Sequence, residues 1–215
     1  MRRARINPQF VTYSEKDSVP LHDVRSQTIA IIGYGNQGQA QALCLRDSGV
    51  NVIVGNRNDN YRELAIRDGF TCFSIPAAVA RASILFILTT DESQPSIWKE
   101  QILKHVAPGD TLVWASGYNV AFNLVEIPKG VDVIMIAPRM MGPAVRELFM
   151  IGSGAMAEIG VHQDASGHAK HTMLALCEAI GLLRGGCIAS SMEGEATLDL
   201  FAEQVSIGKT ARLDE

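Results

Sequence analysis

Six residues, Gly33-Tyr34-Gly35-Asn36-Gln37-Gly38, have the spacing G-x-G-x-x-G. Where such a stretch joins a strand to a helix, each glycine has its own task. The first permits a tight turn, the second lets the backbone approach a pyrophosphate, and the third lets the helix pack closely on the strand. The turn also aims free N–H groups and the positive end of a helix dipole at the phosphates. The chemistry implied is the holding of a dinucleotide. In NAD-selective sites an acidic residue ends the second strand ~20 residues after the first glycine and bonds the ribose 2′-hydroxyl. Here that stretch reads Val54-Gly55-Asn56-Arg57. Arg57 offers a planar cation that can stack on adenine and pair with a 2′-phosphate, which favours NADPH over NADH. Asp59 follows, and it would repel that phosphate if it pointed inward.

The elements around the glycines decide whether the motif has meaning. Thr28-Ile-Ala-Ile-Ile32 is a short, β-branched apolar run that leads directly into Gly33, as expected for a strand buried on both faces of a parallel sheet. Residues 37–47 then read as a helix with Ala40, Ala42, Leu43 and Leu45 on its apolar side. The alternation continues with a strand at 51–54, helices at 61–68 and 76–82, a strand at 84–88, and a helix at 93–105 stopped by Pro108-Gly109. Strands follow at 111–114, 131–137 and 155–161, and Ala169, Met173, Leu176 and Ile180 fall at helical spacing. Strands alternating with helices in this way predict βαβ units, and so an α/β fold with a doubly wound, Rossmann-type sheet. Residues before about 26 read as an irregular arm with one short strand at 10–13. A last helix is expected from about 198, with a domain boundary near 190: residues 1–190 form the dinucleotide-binding domain, and 191–215 the start of a second, helical one.

Composition excludes several classes. The 215 residues carry 19 Lys plus Arg against 23 Asp plus Glu, a net charge of −4, so no general electrostatic grip on nucleic acid or acidic membranes is expected. Hydrophobic residues make up 47% and charged residues 20%, which excludes a disordered or fibrous chain. The four cysteines are scattered without a C-x-x-C pair, which argues against a zinc cluster. The basic N-terminus leads into no apolar segment, and no run approaches the ~18 apolar residues of a membrane span. A cytoplasmic location is the expectation.

Longer blocks then carry a resemblance. Residues 33–43, Gly-Tyr-Gly-Asn-Gln-Gly-Gln-Ala-Gln-Ala-Leu, and 45–52, Leu-Arg-Asp-Ser-Gly-Val-Asn-Val, resemble the cofactor loop of the ketol-acid reductoisomerases, the acetohydroxy-acid isomeroreductases of branched-chain (isoleucine and valine) amino-acid synthesis. The likeness continues through Asp91-Glu-Ser-Gln94, Pro108-Gly-Asp-Thr-Leu112, Ala137-Pro138, 161–167 and Asp199-Leu-Phe-Ala-Glu-Gln204. It covers nearly the whole chain from about 10 to 208. The resemblance implies a Rossmann-type domain joined to the start of an all-helical, knotted one. It also implies NADPH-dependent oxidoreductase chemistry, in which two Mg²⁺ ions drive an alkyl migration in a small acetohydroxy acid such as 2-acetolactate before the 2-keto acid is reduced. Carried over by position, Gly33, Tyr34, Gly35, Asn36, Gln37, Gly38, Arg57, Asp91, Gln94 and Gly142 match cofactor contacts. Asp199 and Glu203 match the first two metal-binding carboxylates, and their i, i+4 spacing places two like charges on one helix face, a repulsion that a hard cation would relieve. The family also implies a homo-oligomer.

Departures from the family pattern bear on the chemistry. Its His before Gly-Phe-Asn is here Ser116, in Trp114-Ala-Ser-Gly-Tyr-Asn119; a serine has no proton-transfer pKa near neutrality. Its Lys after Ala-Pro is here Arg139, which keeps the charge but cannot shuttle a proton, and Met140-Met141 follow it. None of the five histidines takes either place. Ser116 and Arg139 are therefore the candidate catalytic positions, with the isomerase step altered or lost. The chain reaches residue 215 before supplying the family's further metal-binding glutamates. The competing readings are a non-catalytic NADPH-binding module, a degenerate paralogue or fragment of such an enzyme, and a β-hydroxyacid-dehydrogenase relative that shares the fingerprint but not the later blocks.

Overall fold

A computed structural model describes residues 11–210, with side chains described through residue 202. Among these, nine strands form one sheet: β1 (Thr12–Tyr13), β2 (Thr28–Ile32), β3 (Asn51–Gly55), β4 (Thr71–Phe73), β5 (Ile84–Ile87), β6 (Thr111–Trp114), β7 (Asp132–Pro138), β8 (Ala157–Gln163) and β9 (Cys187–Ala189). The helices are α1 (His22–Arg25), α2 (Asn36–Asp47), α3 (Asn60–Arg67), α4 (Ile75–Val79), α5 (Gln94–Ile97), α6 (Tyr118–Ala121), α7 (Gly142–Met150), α8 (Ala169–Ile180), α9 (Leu182–Gly185) and α10 (Met192–Thr210).

The strand order is β1-β9-β8-β7-β6-β5-β2-β3-β4. From β4 to β7 every pairing is parallel, with Ile29 opposite both Val52 of β3 and Ile84 of β5. The chain winds outward from β2 to β3 and β4, then returns to β2's other edge and winds through β5, β6 and β7. The order therefore reverses between β2 and β5, and in open α/β sheets ligands bind outside the carboxyl ends of the strands at such a point. Past β7 the sheet becomes mixed: β8 runs antiparallel to β7, β9 parallel to β8, and β1 antiparallel to β9.

The apolar runs explain why the centre of the sheet is parallel and two-sided. Alternate residues of a strand face opposite sides. Ile29 and Ile31 enter one core with Phe86, Val113 and the inner faces of α2 and α8, while Ala30 and Ile32 enter a second with Leu85, Leu112, Trp114, Trp98 and Ile102. All of these side chains are buried. The predicted strand 28–32 is β2, and the helical stripe from Ala169 to Ile180 is α8. The stripe packs into the core, since Ala169, Met173, Leu176 and Ile180 are all buried.

Other expectations needed correction. The helix expected over 93–105 is broken into α5, a wider π-type turn at Trp98–Ile102 and a 3₁₀ turn at Leu103–His105. Trp98 and Ile102 must both reach the core, and the Trp98 ring lies 5.5 Å from Trp114 with its indole N–H donating to the Glu126 carbonyl at 3.0 Å. β4 and β9, three residues each, carry too little periodicity to be seen, and α1, α6, α7 and α9 were not anticipated. α10 begins at Met192, not near 198, because Met192 and Ala196 are buried against the body. Leu198 and Phe201, farther along the same helix, are exposed. Of the strand expected at 10–13, Thr12–Tyr13 is present and residue 10 lies outside the described residues.

The third glycine of the motif tests this architecture. A Cβ on Gly38 would lie 2.0 Å from the Gly33 carbonyl oxygen. Gly38→Ala is expected to lower the free energy of unfolding by about 1–3 kcal/mol in urea titrations, since backbone must move to admit the methyl group.

Candidate active site

The glycine loop sits at the reversal of strand order. Gly33 has φ +95°, a left-handed conformation that favours glycine, and a Cβ there would lie 2.9 Å from the backbone of Leu88 and Thr89 beyond β5. Gly35 is different, because a Cβ there would meet nothing within 4 Å. Its open face looks onto a cavity of about 420 Å³ lined by the loop, Asn56, Arg57, Asp59, Tyr61, Thr89, Thr90 and Ser93, with Ile75, Leu88 and Ile97 as its apolar wall. α2 starts at this cavity with Gly35 as its N-cap, no side-chain cap and no acid in its first turn. Its first N–H groups are thus available to an anion. The Thr89 hydroxyl oxygen, in the same wall, is buried without a hydrogen-bond partner. A cradle left open by glycine, uncapped N–H groups and an orphaned hydroxyl fit a dinucleotide diphosphate.

The Tyr34 side chain points the other way. It is buried in the core against Phe70, its hydroxyl donates to Asp68 Oδ2 at 2.8 Å, and burial pushes its ionisation well above the usual phenol range, with the Asp68 carboxylate adding to the effect. Gln37 donates to the Met140 carbonyl at 2.8 Å, and Gly142 is packed so closely that a Cβ would lie 1.9 Å from the Asn36 carbonyl oxygen. Both therefore brace the loop from behind. Arg57 is at the cavity mouth with its side chain 81% exposed, its Nε bonded to Asp59 Oδ2 at 2.6 Å.

A second cavity, of about 430 Å³, lies beyond the Thr89–Asp91 turn and is lined by Asp91, Glu92, Pro95, Ser116, Tyr118, Leu124, Ala196, Asp199 and Leu200. The Ser116 hydroxyl donates to Asp91 Oδ2 at 3.1 Å, and the Asn119 amide donates to Asp91 Oδ1 at 3.1 Å. Burial outweighs these bonds and raises the Asp91 carboxyl above its ordinary range. Gln94 stands behind this wall, 3% exposed. Its carbonyl oxygen accepts from Trp114 Nε1 and Asn119, and its amide donates to the Thr89 carbonyl, so it ties the turn between the cavities to β6 and α6.

Arg139, at the end of β7, reaches a cluster of acids. Its Nη1 donates to Glu195 Oε1 and Asp199 Oδ1, both at 3.3 Å, and its Nε lies 3.6 Å from Glu158 Oε1. Glu195 is buried in the first turns of α10 and accepts the Gly117 N–H at 2.6 Å. Desolvation, reinforced by the neighbouring Asp199 and Glu158 charges, pushes its carboxyl up to about 7 against the pull of Gly117 and Arg139. Glu158, Glu195 and Tyr118 were missed from the sequence. Glu195 carried a signal, since it lies four residues before Asp199 and follows Ser191, whose hydroxyl accepts the Gly194 N–H at 3.1 Å as a helix cap does.

The structure thus brings most of the expected residues to two adjoining cavities, while Gly38, Gln94 and Gly142 line neither. The glycine loop and Arg57 line the first, Asp91, Ser116 and Asp199 the second, and Arg139 joins Asp199 to the sheet. The Glu203 side chain lies outside those described. As a home for Mg²⁺ the described donors do not fit. Asp199 is paired with a guanidinium, Asp91 is bonded to Ser116 and Asn119, and no group of three or more His, Cys, Asp or Glu side chains converges among the described residues.

Comparison with known proteins matches this geometry. The family profile of the acetohydroxy acid isomeroreductase NADPH-binding domain fits residues 23–186. A ketol-acid reductoisomerase (NADP(+)) of Pyrobaculum islandicum is 43% identical over 194 residues, covering 90% of this chain and 58% of the relative. One from Akkermansia muciniphila is 43% identical over 188 residues, covering 87% and 58%. Among solved structures, an NADH-preferring ketol-acid reductoisomerase from an uncultured archean superposes with a TM-score of 0.88 at 35% identity, covering 90% of this chain and 60% of that one. The chain spans less than two thirds of the length of these relatives.

The buried Glu195 gives the site a pH dependence. Its folded-state pKa of about 7 stands above the ordinary 4.5, so the folded chain binds this proton more tightly than the unfolded one. The resulting stability is fully present below about pH 4.5 and is lost as pH rises through 7. Relative to Glu195→Gln, the wild type should lose on the order of 3 kcal/mol of unfolding free energy across that window, read by urea titration at each pH.

Proposed function

Because the chain belongs to the acetohydroxy acid isomeroreductase family, we propose that it is an NADPH-dependent oxidoreductase of the ketol-acid reductoisomerase type, reducing a small 2-keto acid, with the isomerase step lost. The observation that carries this reading is the adjacency of the two cavities, one shaped for a dinucleotide and one lined by polar groups, across the single turn from Thr89 to Asp91. NADPH supplies a hydride to a carbonyl carbon when bound. The residues of the chain do the rest. The uncapped first turn of α2 and the Thr89 hydroxyl hold the diphosphate, and Arg57 meets the 2′-phosphate end. The Gln94 bonds fix the turn between the cavities, so the distance from cofactor to substrate is set by the sheet and not by a mobile loop.

In the second cavity, the Ser116 hydroxyl is oriented by Asp91 and presents a hydrogen bond to a substrate oxygen. Arg139 neutralises part of the charge on Glu158, Glu195 and Asp199, which would otherwise oppose an anionic substrate. The alkyl migration of the family draws on divalent cations, whereas Asp91 and Asp199 of the second cavity are engaged by Ser116, Asn119 and Arg139. Reduction of a preformed 2-keto acid asks only for positioning and carbonyl polarisation. The helix that opens at Met192 is read as the start of a second, helical domain after residue 190. A purely non-catalytic module is not favoured, since the curated relatives are named as enzymes.

The test is NADPH oxidation by the whole chain with 3-hydroxypyruvate, run beside 2-acetolactate with Mg²⁺. Turnover of the keto acid alone is expected. Turnover of acetolactate would overturn the loss of the isomerase step, and turnover of neither would overturn the enzymatic reading.

A further inference from the structure

We infer that Tyr118 is the catalytic acid of the second cavity, giving the proton that a 2-keto acid takes up on its carbonyl oxygen as it is reduced; this rests on the reductase reading above. Where the family pattern reads His-Gly-Phe-Asn, this chain reads Ser116-Gly-Tyr-Asn119, so an imidazole is missing and a phenol stands two residues on. The polar residues lining the cavity are Asp91, Glu92, Ser116, Tyr118 and Asp199. Three are carboxyl groups, and Asp91 and Asp199 already accept bonds from Ser116, Asn119 and Arg139. An ionised carboxylate accepts and has no proton to give. The Ser116 proton is held by Asp91 Oδ2 at 3.1 Å, and Ser116 Oγ in turn accepts the Tyr118 N–H at 3.3 Å. The Tyr118 hydroxyl, by contrast, has no hydrogen-bond partner among the described residues, although its ring is steadied by Phe122 at a centroid distance of 4.9 Å.

The backbone on either side of Tyr118 is fixed. Gly117 donates its N–H to Glu195 at 2.6 Å and lies so close to Met192 that a Cβ would stand 2.1 Å from the carbonyl oxygen. Asn119 is fully buried, with its amide donating to Asp91 Oδ1 and Gln94 Oε1, both at 3.1 Å. A phenol carried between two such anchors, with its O–H unspent inside the protein, is pre-organised to meet a ligand oxygen. In the reaction the carbonyl carbon gains a hydride, with its electron pair, from the nicotinamide. The C=O π pair moves to oxygen, and that oxygen takes the proton as the Tyr118 O–H bond breaks. The ketone becomes a secondary alcohol, NADPH is oxidised to NADP⁺, and water returns a proton to the phenolate. Arg139 cannot take this part, since a guanidinium does not release its proton in working conditions.

Tyr118→Phe tests this, because it keeps the ring beside Phe122 and removes only the hydroxyl; thermal melts of the whole chain report whether the fold is kept. Oxidation of NADPH by 3-hydroxypyruvate should lose about 10²–10⁴-fold in kcat. Calorimetric binding of 3-hydroxypyruvate to the chain holding NADP⁺, where no hydride is available, should weaken by at most about tenfold, as for the loss of one neutral hydrogen bond. NADPH binding, read by nucleotide fluorescence, should be unchanged, since Tyr118 lines the second cavity and not the first. A folded Tyr118→Phe with kcat within about threefold of wild type overturns the proposal. So does a fall in kcat/KM no larger than the fall in binding, which would make Tyr118 a holding contact only. A greater loss of kcat in Ser116→Ala than in Tyr118→Phe would assign the proton to Ser116 and overturn it as well. A wild type that binds NADPH but does not reduce 3-hydroxypyruvate overturns the reductase reading itself, and the proposal with it.

Discussion

The contact on which the site depends is backbone against backbone, where the glycine loop leaves β2 and passes the end of β5. Gly33 lies so close to Leu88 and Thr89, and Gly38 to Gly33, that neither position has room for a side chain. These approaches press the loop onto the sheet at the place where strand order reverses. The cavity exists because the loop can fold this flat, and because Gly35, between the two crowded positions, leaves its own outer face empty. Gly142 and Gln37 then hold the loop from behind, and the close approach to Asn36 leaves no room for a side chain at 142.

A second constraint is electrostatic. Three carboxylates, from β8 and α10, meet at the end of β7, and burying such a group uncompensated is costly. Arg139 compensates them. In doing so it fastens the first turns of α10 over the sheet, a contact completed by the Gly117 N–H on Glu195 and by the close approach of Gly117 to Met192. The second cavity inherits its shape from this closure, since Ala196, Asp199 and Leu200 form one of its walls. Charge balance within the chain and the geometry of the pocket are consequently the same fact.

The parallel core and the fingerprint were legible because each rests on local pattern: β-branched runs for β2 and β5, glycine spacing for the loop, helical spacing for α8. What was not legible depends on partners distant in sequence. Nothing near Tyr34 shows that its ring turns inward to Asp68 and Phe70. Gln94 matched a cofactor position, yet it serves as a strut, a role set by Trp114 and Asn119 on other elements. The acid cluster was hidden for a related reason. Placing the start of the last helix near 198 put Glu195 outside it, and only a helix that begins at Met192 sets Glu195 and Asp199 one turn apart.

The central claim is that the open face of Gly35 is the seat of a dinucleotide diphosphate. Titrating NADPH against the wild type and Gly35→Val, with thermal melts of both, tests it most directly, because a Cβ at 35 meets no protein atom within 4 Å and so should intrude on the cradle with little disturbance of the fold. The account predicts saturable binding by the wild type and, in the variant, an unchanged melting temperature with binding weakened at least about 100-fold. Equal binding by a folded Gly35→Val chain would contradict it.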